Sequence, residues 1–217
     1  VRGNMSAIYG SEAIGGVVQI FTRHGRGKPT LDLRAGYGRY GTSGVAASYG
    51  GEIGDTQFRV TLSDSRTNGF SDIDAANAPG ANPDNDGYRN ASGSLSVTHT
   101  LNANHKLGLR LFDSNGRVEY DNNFAAATTD RHHAKTEVCS VSVFSENRFA
   151  DWWTSKLTLG QGLDRNDAFL NGAASSRTRS TQNQINWHND LVFAPGQRAT
   201  LGFENLRQKL DSTDGYS

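Results

Sequence analysis

The chain has 217 residues, and its 22 Lys and Arg balance 22 Asp and Glu, which excludes a charge-driven nucleic-acid binder. Hydrophobic residues are only 35%, a share that would suit disorder, but Tyr, Phe and Trp recur along the whole chain and argue for a folded one. A single cysteine, Cys139, rules out an internal disulfide framework and a cysteine zinc site; the longest apolar stretch, Ala13 to Phe21, is far short of the about 20 residues of a spanning helix. A membrane stays open, because a barrel strand needs only about ten alternating residues.

The chain starts on Val1 with no basic or apolar leader and stops in a polar run at Ser217, so it is expected to be an internal piece of a longer protein. Ser6 to Tyr9 reads as a turn of helix, Gly10 to Gly16 as a glycine-rich bend, and the run to Phe21 as a buried strand. Arg23 to Pro29, with Gly25, Gly27 and Pro29, reads as a linker. From Thr30 onward the hydrophobic period is two. Leu31, Leu33, Ala35 and Tyr37 alternate with polar or small residues, as do Phe58, Val60 and Leu62, then Leu107, Leu109 and Leu111. Cys139, Val141 and Val143 repeat the pattern, and so do Ala199, Leu201 and Phe203. Such alternation gives each strand one apolar and one polar face. An all-β antiparallel meander of nine strands from Thr30 to Leu210 is predicted.

The connections fall into two alternating sets. Residues 51–55, 101–105, 148–151 and 194–197 are short and turn-like, whereas residues 68–89, 115–133 and 167–176 are expected to form long polar loops. Short turns at one end and long loops at the other suit an outer-membrane barrel, with Tyr37, Tyr49, Trp152, Trp153, Trp187 and Phe193 as interfacial aromatics. A soluble sandwich or lipocalin-like barrel also alternates, and the pattern alone leaves it open. In the membrane reading Leu107, Leu109 and Leu111 face lipid; Lys106, Gly108 and Arg110 face the lumen, so Gly108→Ser should be mild.

Gly36 to Gly41 is a formal GxGxxG, but an alternating strand follows it where a dinucleotide site needs a helix. His132 and His133 read as solvated loop residues. No nucleophile accompanies His99, His105 or His188, so no enzyme is expected. The run Asn82-Pro-Asp84-Asn-Asp86-Gly87 matches the first half of a calcium loop, with oxygens at alternate positions before a glycine. The closing Glu is absent: Gly93 stands there. Further oxygens must come from Tyr120-Asp121 and Asp130 in the next long loop, or from Asp72 and Asp74 in the same one. A solvated acidic loop explains these residues as well as a calcium site does.

The segment Val1 to Thr22, with Arg2-Gly3, Tyr9-Gly10 and Gly15-Gly16-Val17, resembles the end of the plug domain in TonB-dependent outer-membrane receptors. It departs from the usual motif at Asn4, where proline is usual, and at Gln19, where asparagine is usual. The resemblance implies residues 1–25 as the end of a plug and residues 26–217 as roughly the first nine strands of a 22-stranded transmembrane barrel. Within the family the chain looks most like the cobalamin transporters, which implies cobalamin as ligand, calcium as cofactor, outer-membrane lipid around the barrel, and the TonB energy-coupling protein as partner through a segment upstream of Val1. It also implies Asp72, Asn82, Asp84, Asp86, Tyr120, Asp121 and Asp130 as calcium ligands, with Asn122 and Ser176 as corrinoid contacts. The alternatives are a receptor for a siderophore or other metal chelate, and a calcium-binding surface barrel or adhesin.

Overall fold

A computed structural model describes residues 25–71, 73, 81–122, 125, 127–213 of the chain. The plug-like segment, residues 1–24, and Asp72 and Asp74 lie outside these residues. The described chain forms one nine-stranded antiparallel sheet in which each strand pairs with its sequence neighbour. The strands are β1 (Thr30–Tyr37), β2 (Ser43–Ile53), β3 (Thr56–Thr67), β4 (Tyr88–Asn102), β5 (His105–Tyr120), β6 (His132–Ala150), β7 (Trp153–Leu170), β8 (Ala173–Ala194) and β9 (Gln197–Ser212). The inner turns are the predicted short ones, at residues 54–55, 103–104, 151–152 and 195–196. The first outer connection carries a 3-10 turn at Arg39–Gly41, with Tyr40 at φ 57. The next two outer loops, residues 68–87 and 121–131, are long.

The third outer loop corrects the sequence reading. Residues 167–176 are mostly strand, and the reversal is the two-residue turn Asn171-Gly172 with both residues at positive φ. Asn-Gly is favoured at such a hairpin because both central residues must be left-handed. The polar run hid it: strand ends that stand in water lack an apolar face. Ser176 therefore lies in β8 opposite Ala168, on the same face as Thr178 and Ser180.

The register sorts the side chains by face. Leu107, Leu109 and Leu111 lie opposite His99, Val97 and Leu95 on β4, and opposite Ser145, Val143 and Val141 on β6. Tyr49 and Val60, Leu157 and Trp187, and Trp187 and Phe203 continue this apolar face toward both edges of the sheet. Its large side chains are exposed, Leu33 at 71% and Leu62 at 59%, as a surface facing hydrocarbon requires. The other face carries Arg59, Ser96, Arg110 and Ser142 in one row. The apolar band crosses the rows obliquely. The row that starts at Leu62 ends at Lys209 on β9, whereas the band on β9 lies at Leu201 and Phe203. Strands tilted against a level band produce such an offset.

Aromatics collect at the inner end of the apolar face. Trp153 lies 4.7 Å from Phe149 and 6.1 Å from Trp152, ring centre to ring centre. Two polar residues interrupt the alternation there, Ser155 and Asn189, and both are buried. Each serves an indole. Trp187 Nε1 donates to Ser155 Oγ at 2.9 Å, and Trp153 Nε1 donates to Asn189 Oδ1 at 3.0 Å. An indole N–H with no water at hand needs such an acceptor.

The polar face overturns one expectation. Gly108 is paired with Phe144, and a Cβ on Gly108 would run into the Phe144 ring. Phe144 is 6% exposed, with the Arg110 guanidinium 4.7 Å and Lys156 Nζ 5.2 Å from its ring centre. The glycine thus makes the space in which a ring lies flat across the sheet, and cations cover that ring. Gly108→Ser is expected to destabilise the barrel by about 1–3 kcal/mol, the usual cost of overpacking. Urea unfolding of the intact protein in lipid vesicles measures this; an unchanged midpoint would mean the ring yields freely.

Candidate functional site

The long outer loops meet where their returning ends enter the sheet. Gly87 N donates to Glu119 Oε2 at 3.2 Å, and Glu119 N donates to Gly87 O at 2.8 Å. This exchange extends the β4–β5 pairing by one step beyond Tyr88. It places Asp84 and Asp86, just before Gly87, beside Asp121, just after the end of β5. One carboxylate oxygen from each of Asp84, Asp86 and Asp121 lies within 4.8 Å of the others. Gly69 helps to set the approach: its φ is +65°, and a Cβ there would collide with the Asp86 carbonyl.

Three carboxylates so close repel one another strongly unless a cation lies among them. Among the described residues, Arg131 offers a partial answer, with Nε 3.9 Å from Asp84 Oδ2, and Ser71 Oγ donates to Asp121 Oδ2 at 3.1 Å. The donor set is all hard oxygen and comes from two loops, which fits calcium better than a soft transition metal.

The remaining predicted residues are placed as follows. Asn82 Nδ2 donates to the backbone carbonyl of Asp130 at 3.4 Å, which ties the two loops together a second time. The Asp130 carboxylate is turned to other work. Its Oδ2 accepts from Ala127 N at 3.1 Å and its Oδ1 accepts from Asn171 Nδ2 at 2.9 Å. Asn171 N also donates to the Arg131 carbonyl, and Arg131 N donates to Asn171 Oδ1, so the β7–β8 turn is fastened to loop 121–131. Tyr120 ends β5 beside His132, their rings 5.6 Å apart. Asn122 follows Asp121 directly and accepts from Ala125 N through its carbonyl at 3.0 Å.

The histidine pair is not in a solvated loop. His132 and His133 open β6, and His133 stacks face to face on Phe169 at 4.7 Å. His132 Nε2 is buried with no hydrogen-bond partner among the described residues. The signal for both was the aromatic opposite each, which is invisible until the register is known. Farther along the rim, Arg165 and Arg177 grip Asp167 at 2.6 and 2.7 Å. The hydrogen bond from Arg165, seconded by Arg177, holds the Asp167 carboxyl below the usual carboxylate range against the opposing effect of burial.

No family model matches the chain. It is 26% identical to the vitamin B12 transporter BtuB of Photobacterium profundum over 215 residues, 98% of this chain and 34% of the relative. It is 28% identical to the same-named protein of Vibrio vulnificus over 224 residues, 100% of this chain and 35% of the relative. The chain thus spans about a third of the length of the curated relatives it matches. Among solved structures, the siderophore receptor PiuA from Acinetobacter baumannii superposes with a TM-score of 0.72 at 13% identity, over 97% of this chain and 34% of the receptor. The fold is that of the outer-membrane receptor barrels. The apolar face therefore looks onto lipid of a Gram-negative outer membrane, and the soluble-barrel reading falls away.

Proposed function

We propose that this chain is the plug end and the first barrel strands of a TonB-dependent outer-membrane transporter for cobalamin, with residues 1–25 in the plug and 26–217 in the barrel. Two observations carry the reading. Along the whole chain it is similar to vitamin B12 transporters, and its two long outer loops bring Asp84, Asp86 and Asp121 together. The work is transport rather than catalysis. The corrinoid is held at the outer rim, and energy reaches the receptor through TonB and a segment upstream of Val1.

Calcium would be held by Asp84, Asp86 and Asp121, with Asn82, Tyr120, Asp130 and Asp72 as further oxygen donors. The Asp130 carboxylate accepts one bond on each oxygen, from Asn171 and from the Ala127 N–H, which leaves a lone pair on each for a cation. Bound calcium supplies positive charge that lets the carboxylates stay together. Asn122, next to Asp121, and Ser176, on the polar face of β8, are the proposed corrinoid contacts.

A siderophore receptor is the second reading, favoured by the similarity to PiuA in fold. Equilibrium binding to the purified intact receptor separates the two. Saturable binding of cyanocobalamin, with none of a ferric siderophore, is expected; the reverse result overturns the cobalamin assignment. Binding of calcium with neither ligand would favour the surface-barrel alternative.

A further inference from the structure

Gly87 completes the half calcium loop in the sequence, where a sharp bend is the ordinary reason for a glycine. The structure gives it another reason. Gly87 is not among the described glycines at positive φ, so no left-handed turn requires it. What it leaves is space: a Cβ there would stand 2.8 Å from Glu119 Oε2 and 3.4 Å from the Thr67 carbonyl. Glu119 grips Gly87 twice, donating its own N–H to the Gly87 carbonyl at 2.8 Å and accepting the Gly87 N–H on Oε2 at 3.2 Å. In a regular antiparallel pair that second bond would go to a backbone carbonyl. Here a carboxylate takes its place, and its other oxygen accepts from Arg117 at 3.0 Å.

The Gly87 N–H belongs to the Asp86–Gly87 peptide. A trans peptide points its N–H and its C=O in opposite directions within one plane. The C=O edge rests against Gly69, where only a glycine leaves room, and the N–H edge is held by Glu119. The plane is thus fixed from both sides, and with it the Asp86 Cα, from which the side chain starts. Among the described residues the close group of carboxylate oxygens is Asp84, Asp86 and Asp121, and Glu119 is outside it. We propose that Glu119 is the positioning residue of the candidate calcium site. By holding the Asp86–Gly87 peptide it aims the Asp86 carboxylate at Asp121, and it does not itself bind the ion. The inference rests on the calcium reading of that site.

The test titrates the intact receptor in detergent with calcium alone, read by isothermal titration, while heat-modifiable gel mobility reads folding separately. Removing a group that holds a metal ligand without touching the ion typically costs roughly 10–100-fold in affinity, and Glu119→Ala should weaken calcium binding by that factor with gel mobility unchanged. Glu119→Gln should restore most of the loss, because its carbonyl oxygen still accepts from Gly87 N. A direct ligand would instead lose the charge on which calcium affinity depends, so a Gln variant as weak as the Ala variant overturns the positioning role. Gly87→Ala should weaken binding in the wild-type background and add little to Glu119→Ala, since its Cβ displaces the same carboxylate; full additivity overturns the inference. If Glu119→Ala does not fold, Gly87→Ala decides, and wild-type affinity in that variant overturns the inference. Calcium binding that Glu119→Ala leaves intact overturns the positioning role alone. A wild type that takes up no calcium overturns the calcium reading, and this inference with it.

Discussion

Leu109→Arg in the intact receptor is expected to remove most of the folded barrel from the outer membrane. Leu109 lies between Val97 and Val143, with Leu107 and Leu111 on either side along its own strand. An arginine near the middle of such a band costs about 2–4 kcal/mol, a large part of the 5–15 kcal/mol by which folded proteins are typically stable. Asn186→Arg is the matched control. Asn186 is on the polar face, opposite Thr158 and Glu204, where a new cation meets an acid and not hydrocarbon. Heat-modifiable mobility of receptor extracted from outer membranes reads both. Equal loss from the two substitutions would mean that the faces are assigned wrongly.

Asp84→Ala/Asp121→Ala is expected to uncouple cobalamin binding from calcium. On the proposed site, calcium would relieve the repulsion among the three clustered carboxylates before the corrinoid arrives. Chelation should therefore weaken cobalamin binding by about 5–150-fold, the usual range of such coupling. The coupling is reciprocal, so cobalamin should raise calcium affinity by the same factor. The double variant should bind cobalamin weakly and equally with calcium or chelator. Isothermal titration in the two buffers checks this, and a wild-type receptor indifferent to chelator sinks the calcium assignment while leaving the cobalamin one standing.

Much of this architecture is legible in period-two alternation, because lipid on one side and polar groups on the other impose it on each strand. Nine strands and their inner turns follow from Leu31 to Phe203 without any long-range information. What escapes the sequence is what depends on partners across the sheet. Gly108 reads as a spare position until Phe144 is found opposite it. Ser155 and Asn189 read as errors in the pattern until the indoles of Trp187 and Trp153 reach them. The end of the β7–β8 hairpin, residues 167–176, reads as a loop, because Arg165 and Arg177 close around Asp167 there in place of an apolar face. The site is legible in part for the same reason. Asp84 and Asp86 announce themselves by spacing, and Asp121 joins them only through the Gly87–Glu119 pairing.

The strict neighbour-to-neighbour order of the strands also has a meaning in time. Every pairing among the nine strands waits only on the closure of the segment between two consecutive ones. Four inner turns and the Asn171-Gly172 turn close almost at once, on the microsecond scale of hairpins. Residues 68–87 and 121–131 close later, because bringing together ends roughly five to ten times farther apart in sequence costs about 1.5–2 kcal/mol more of chain entropy. The sheet thus divides into three quickly formed blocks, β1–β3, β4–β5 and β6–β9, joined at two slow seams. Those seams are the same two loops that carry Asp84, Asp86 and Asp121. The places where ligands gather are the places where assembly hesitates, and an insertion that lengthens either loop slows the birth of the barrel before it touches what the finished one binds.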